Sequence, residues 1–431
     1  MNPLHRNDRP GVHALSWYAD TADIPAQRPA LKGSHRADVC IIGAGFTGLT
    51  AALRLATRGY KVIVLEAHRA GFGASGRNGG QVGSGFNQSQ QWLAKKLGDT
   101  PARALWEMAE QAKADLRALA PEQARYTPGV VHGNYSDAET RDFAQEADFL
   151  AKTYGYTQNE TLGRAAMQDL VRTKSYVGGL LDMGAGHIHP LRYVISLAAQ
   201  AEASGAVIHE GSEVHRIVDG SPAKVQTGQG HVMADHVVIA GNGYLPNIAP
   251  KVNQRVMPIN SFICATAPLG ARATEVLRDD VAVADSKFVV NYFRMSEDKR
   301  LLFGGRESYG IGFPKDIKTK LVARMCALFP QLNGVEVTHV WGGTLGITMT
   351  RLPALQRISP SVFSAAGFSG HGVALSGFAG TLMAEAVAGQ SERFDIMSQL
   401  PTPKFPGGTA ARAPLLTLAM SWYAMRDRLG I

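Results

Sequence analysis

The hydrophobic pattern begins late. Residues 1–35 carry Pro3, Pro10, Pro25 and Pro29 without periodicity and read as an extended arm. No apolar core precedes a small-residue cleavage site there, so no secretory signal is predicted. Residues 37–42, ADVCII, form a short apolar, β-branched run suited to a buried parallel strand. GAGFTG follows, then a helical stretch over 49–57 that Gly59 stops, then the strand-like YKVIVL at 60–65. Together they predict a strand–helix–strand unit of about thirty residues.

Residues 71–85, GFGASGRNGGQVGSG, predict a glycine-rich loop, and 92–119 and 137–153 have the spacing and alanine content of a helical insertion. Alternating strand and turn signals return over 205–240, ending in HVVIAGNG at 236–243. Residues 255–341 break into separate strands with a helix over 316–329, the pattern of an antiparallel sheet with one helix. A strand at 362–366, the loop GFSGHG at 367–372 and a helix over 373–388 ended by Gly389 follow. Residues 413–429 predict a helix packed on the body rather than one lying on a membrane. No run of 18 or more apolar residues predicts a membrane span.

Composition adds three constraints. Glycine fills 47 of 431 positions, well above the usual ~7 per cent. With 45% hydrophobic and 19% charged residues the chain still buries a core, so glycine acts as punctuation inside a globular fold. The formal charge of +8 comes without a long Lys/Arg cluster, which excludes a focused nucleic-acid stripe. Cys40, Cys264 and Cys326 are scattered and odd in number, which predicts reduced thiols and a cytoplasmic setting. His187 and His189 have no third ligand at a recognisable spacing, so no metal is predicted.

The chemistry-bearing motif is Gly43-Ala44-Gly45-Phe46-Thr47-Gly48. It follows a strand, opens a helix, and precedes a second strand ending in Glu66. Gly43 permits the tight turn, Gly45 the approach of a pyrophosphate, and Gly48 close helix–strand packing, while the helix N-terminus offers N–H groups and a positive dipole. Glu66 suits ribose hydroxyls and disfavours a 2′-phosphate. The glycines around Ser75, Arg77, Asn78 and Gln81 suit backbone running against a planar ring and a diphosphate.

SWYADT at 16–21, GFGASGRNGGQV, GHIHP at 186–190, RLPALQRI, GFSGHGV and the terminal YAMRDRLG resemble the D-amino-acid oxidase and glycine oxidase family of FAD flavoproteins, from about residue 16 to 431. The resemblance implies an α/β fold: a Rossmann-like FAD-binding domain over 36–90, 155–250 and 342–395, interleaved with a second α+β substrate domain on an antiparallel sheet over 91–154 and 251–341. Residues 396–431 form a C-terminal segment. It implies oxidative deamination of a small-molecule amine, its α-hydrogen passing as hydride to flavin N5, with oxygen or another electron acceptor downstream. The implied substrate is a γ-glutamylated diamine or a related amine. The alternatives are an imino-acid or amino-acid oxidase of pipecolate or sarcosine type and, in another class, a non-catalytic flavin scaffold.

By family position the FAD contacts are Gly43, Gly45, Phe46, Thr47, Gly48, Glu66, Ala74, Ser75, Arg77, Asn78, Gly79, Gln81, Val214 and Gly241, with Gly370, His371, Gly372 and Val373 at the pyrimidine end. The cysteine that links FAD in sarcosine oxidases is missing from WGGTLGITMTR at 341–351, so FAD is expected to be non-covalent. The lysine that grips a substrate carboxylate after the GHG loop is also missing, with Ala374 in that region. His371, Tyr292 and Arg306 are the candidate catalytic residues, and Arg294, Glu307, Trp341 and Arg351 the candidate substrate contacts. Tyr292 and Arg294 share a strand face. Arg294 reads equally as an edge charge, Arg306 and Glu307 as a surface ion pair, and Trp341 as core.

Overall fold

Parallel strands covered on both faces require near-continuous apolar runs, and Val62–Leu65 is buried throughout. The computed structural model describes residues 2–287, 289–308 and 312–407, and of Arg306 only the backbone. The predicted helix over 413–429 lies outside the described residues. Among them, the first sheet has a parallel core in the order Val362–Ala366, Gly230–Ile239, Gly33–Ile42, Val62–Leu65 and Val207–His209. Ala354–Ser359 adds an antiparallel edge, and Val214–Val218 with Ala223–Thr227 extends it from Gly230–Ile239. In register, Ile42 stands beside both Leu65 and Ile239, so three strands end together where the glycine turn begins. Helices Phe46–Thr57, Pro190–Ala203 and Leu375–Val387 pack through one continuous core that includes Leu49, Leu197 and Phe378.

The second sheet has nine described strands. Its path runs Val337–Ile347, Met257–Thr266, Leu301–Ser308, Tyr292–Met295, Ala282–Asp285, Thr127–Asn134, Gly178–His187 and Gln81–Val82, with Asn159–Leu162 on Gly178–His187. Every pairing is antiparallel except Ala282–Asp285 with Thr127–Asn134. Helix Lys318–Leu328 covers one face, packing Leu321 and Met325 against Phe262, Phe293 and Phe303.

Two expectations are corrected here. Residues 159–187 were expected in the first domain, yet both of their strands belong to the second sheet. Gly178–His187 pairs with Thr127–Asn134, a partner about fifty residues upstream that no local pattern designates. The helical stretch 92–119 is two helices, Gln90–Leu97 and Asp99–Leu119, parted at Gly98 with φ +91°.

The arm is tied down. Asn2 Nδ2 donates to Glu213 Oε1 at 2.6 Å, His68 Nε2 sits 2.9 Å from the Leu4 carbonyl, and Asn7 Oδ1 accepts from Phe313 N–H at 2.9 Å. Asp8 pairs with Arg77 at 2.8 Å. The arm thereby links elements of both sheets. Among the described residues no helix is long and apolar enough to cross a membrane.

Candidate active site

A cleft opens at the carboxyl ends of the parallel strands. Its floor is the turn between Gly33–Ile42 and Phe46–Thr57. Gly43 adopts φ +105°, and a Cβ there would lie 2.9 Å from the Ala240 carbonyl oxygen. At Gly48 a Cβ would meet the Gly43 oxygen at 1.9 Å, so the helix lies directly on the turn only because that position is bare. The first helical N–H, of Phe46, donates to Ser75 Oγ at 3.0 Å, which fixes the glycine-rich loop to the helix start.

Glu66 closes one end. Its Oε2 accepts from Ala44 N–H at 2.8 Å and its Oε1 from His68 N–H at 2.9 Å, so the carboxylate is aimed by backbone donors on both sides. Burial pushes the carboxyl up to about 7, and the nearby Glu210 charge adds to the rise against those hydrogen bonds. Two donors leave further lone pairs to accept hydroxyl protons from a ligand.

The structure brings Gly43, Gly45, Phe46, Thr47, Glu66, Ala74, Ser75, Asn78, Val214, Gly241, Gly370, Gly372 and Val373 together in the lining of the cleft. Asn242 Oδ1 accepts from Gly367 N–H at 2.9 Å, which pins the GFSGHG loop beside the end of strand Gly230–Ile239. Sequence reasoning missed Leu4, Tyr244, Pro246, Ile248, Leu345 and Gly346, which also line the cleft. Only the Gly-Asn turn before Tyr244 hinted at that wall, and Leu4 lies in an arm with no periodic signal.

Several candidates stand elsewhere. Gly48 lies behind the turn. Gly79 is under Tyr292, with its carbonyl taken by Arg294, and Gln81 Nε2 donates to the Val283 carbonyl at 2.8 Å. Arg77 does not line the cleft, which corrects its expected flavin-side role. Its Nε donates to the Phe72 carbonyl at 2.8 Å and its Nη1 to the Gly342 carbonyl at 3.0 Å, beside the Asp8 ion pair. Unpaired carbonyls in a glycine-rich loop need a donor more than the cleft needs a cation.

Arg294 is corrected likewise. It is buried and donates to the carbonyls of Gly79 at 2.9 Å, Ile188 at 3.1 Å and Met295 at 3.2 Å, and to Tyr18 Oη at 3.3 Å. It is therefore not an edge charge, and its donors are taken up by three carbonyls and a phenol. Trp341 is core: its Nε1 donates to the Arg77 carbonyl at 3.0 Å and its ring packs edge-on against Tyr18. Arg351 lies off the cleft in a turn whose carbonyl accepts from Asn87 Nδ2 at 3.2 Å.

Tyr292 and Glu307 do share a neighbourhood. Tyr292 Oη is 3.1 Å from Ser261 Oγ, and Glu307 stands opposite Ser261 in the sheet. Burial raises the Tyr292 hydroxyl, and the Glu307 charge raises it further, so the phenol stays protonated. Arg306 stands opposite Phe262, and its side chain lies outside the described part. The His371 ring turns from the cleft onto Gly83, while its flanking glycines line the wall.

A cleft lined by a bare glycine turn, a helix N-terminus and a hydroxyl-accepting carboxylate fits a dinucleotide such as FAD. The comparisons with known proteins agree. Residues 38–386 match the family described as FAD dependent oxidoreductase. A probable oxidoreductase, OrdL, of Rhizobium meliloti (strain 1021) is 42% identical over 96% of this chain and 97% of its own length. Gamma-glutamylputrescine oxidoreductase of Escherichia coli (strain K12) is 36% identical over 97% of this chain and 99% of its own. The crystal structure of glycine oxidase from Geobacillus kaustophilus superposes with a TM-score of 0.69 at 24% identity, covering 83% of this chain and 95% of that one, a likeness of fold.

Two outcomes follow from this geometry. Ribose hydroxyls donating to Glu66 stabilise its charged form, so a carboxyl that sits near 7 without ligand drops on binding and a proton is released. FAD affinity of the apoprotein, read by flavin fluorescence, therefore rises with pH by up to about tenfold per unit below 7 and levels above it; Glu66→Gln flattens the dependence. Arg294→Met leaves three buried carbonyls without their donor and lowers stability to chemical denaturation by about 3 kcal/mol or more.

Proposed function

The chain belongs to the family of FAD-dependent oxidoreductases, and from that premise we propose that it oxidises a primary or secondary amine, with γ-glutamylputrescine or a closely related γ-glutamylated diamine as substrate. The observation that carries the substrate class is the match to gamma-glutamylputrescine oxidoreductase, which spans both chains almost end to end. Loss of Arg294 as an available cation, with Ala374 where a carboxylate-gripping lysine is expected, supports an amine over an amino acid anchored by its α-carboxylate.

Bound FAD would lie along the Gly43–Gly48 turn with its ribose at Glu66, and supplies the two-electron acceptor that oxygen or another oxidant then discharges. The amine must present its free lone pair. Loss of two electrons and the α-hydrogen turns its C–N bond into C=N, and water hydrolyses the imine to an aldehyde and ammonia or a smaller amine. The second sheet's face contributes Tyr292, Ser261 and Glu307. A phenol held protonated orients substrate by hydrogen bonding and does not act as base. Glu307 provides the negative charge that an ammonium group elsewhere on the substrate needs. The unpaired cysteines suit a reducing compartment, the cytoplasm.

The test is anaerobic bleaching of the bound flavin by γ-glutamylputrescine, putrescine, pipecolate, sarcosine and proline in parallel. Fastest reduction by γ-glutamylputrescine is the expected result; bound FAD that no amine reduces would sink the enzymatic reading. Acid precipitation should leave the yellow colour in the supernatant, since no cysteine lies in residues 341–351 to hold it. Glu307→Gln should raise KM for the diamine by about tenfold while the rate of flavin reduction at saturation changes little.

A further inference from the structure

Away from the cleft, a group of buried polar and ionisable side chains surrounds Lys113 on helix Asp99–Leu119. The side chain has no solvent exposure. A buried ammonium is tolerated only when its protons and charge are matched, and here they are. Nζ donates to Ser84 Oγ at 2.5 Å and to Tyr156 Oη at 3.2 Å, and pairs with Glu110 Oε1 at 2.8 Å. Asp182 completes the ring: its Oδ2 accepts from Ser84 Oγ at 2.6 Å and its Oδ1 from Tyr156 Oη at 2.5 Å. Two backbone N–H groups, of Gly184 and Ala185, hold Asp182 in turn.

Ser84 thus accepts from a cation and donates to an anion, which leaves its side chain one orientation. The segment that carries it is wedged against His371. A Cβ on Gly83 would lie 2.4 Å from His371 Cε1, so the imidazole rests directly on the backbone. His371 Nε2 is buried and has no hydrogen-bond partner. Its neighbours Gly370 and Gly372 line the cleft. The groups that act on the ring are His132 from strand Thr127–Asn134, the backbone of Ser84 and Gly85, and Lys113 from the long helix.

We propose that Lys113 is a positioning residue: through Ser84 it clamps residues 83–85 onto His371, whose flanking glycines line the cofactor cleft. Burial, the His132 ring and Lys113 hold the imidazole down to about 4 against the Ser84 and Gly85 backbone. The functional weight of the clamp rests on the reading that FAD occupies the cleft with its ring system near Gly370 and Gly372. A neutral ring there leaves the flavin's charge to be set by backbone donors alone; a protonated one would place a cation beside it.

The test follows the His371 Cε1 resonance in ¹³C-histidine-labelled protein as purified, assigned by its disappearance in His371→Gln, together with the absorption spectrum of the bound flavin across the same pH range. In the wild type the imidazole stays neutral down to about pH 5. Lys113→Met removes the donor that fixes Ser84, so the His371 Cε1 resonance leaves its wild-type position and the flavin spectrum changes with it. Lys113→Arg, which keeps a cationic donor there, restores the wild-type resonance. Ser84→Ala, a milder change that cuts the link while leaving the ammonium, shifts the resonance position and the flavin spectrum without requiring Lys113→Met to fold. A His371 resonance unmoved in both Lys113→Met and Ser84→Ala overturns the proposal. Failure of the wild type to hold FAD sinks the cofactor reading instead, and the imidazole resonance still judges the clamp.

Discussion

Two buried guanidinium groups hold the cofactor loop where it is. Residues 71–85 are rich in glycine and poor in side chains, so they have backbone carbonyls to satisfy and little apolar surface with which to pack. Arg77 takes the carbonyls of Phe72 and Gly342, and Arg294 those of Gly79, Ile188 and Met295. Each therefore joins the loop to the second sheet. Trp341 adds a third tie through the Arg77 carbonyl, and Asp8 brings the N-terminal arm to the same charge. A planar fork with five donors suits this task, since one side chain closes several backbone acceptors that lie apart in sequence. Without these ties the loop would lie between two sheets with its polar groups buried and unpaired, and the cleft would lose a wall.

The same constraint explains the division of labour around the cleft. Along the nucleotide-binding end the ligand-facing surface is backbone, bare at Gly43 and Gly45, with Glu66 as its charged group and that carboxylate aimed by two backbone N–H donors. On the second sheet Tyr292, Ser261 and Glu307 stand together, and Arg294 of the same sheet is taken up by backbone carbonyls.

Legibility followed distance along the chain. The strand, glycine turn, helix, strand and acid of residues 33–66 sit close together, and each part is required by its immediate neighbours, so pattern and chemistry agree. The long helix was read through Gly98, where a left-handed backbone breaks it. Strand Gly178–His187 was assigned to the wrong sheet because its partner is decided by register with Thr127–Asn134. Arg77 looked like a site residue because glycines flank it, Arg294 because it shares a strand face with Tyr292, and Trp341 because it precedes a glycine-rich run. Each instead answers a carbonyl brought close only by folding.

By itself, then, the sequence determined the dinucleotide turn, the acid that completes it, the α/β class and the family. The turn and its acid depend on spacings that local geometry enforces, whereas the class and the family follow from the resemblance of motifs spread along the chain. Tertiary structure alone decided which strands join which sheet, that the arm is tied across both, and that Lys113 is enclosed among Ser84, Tyr156 and Asp182. A polar side chain settles where unpaired backbone and opposite charge are found, and those partners are assembled only when distant strands have paired.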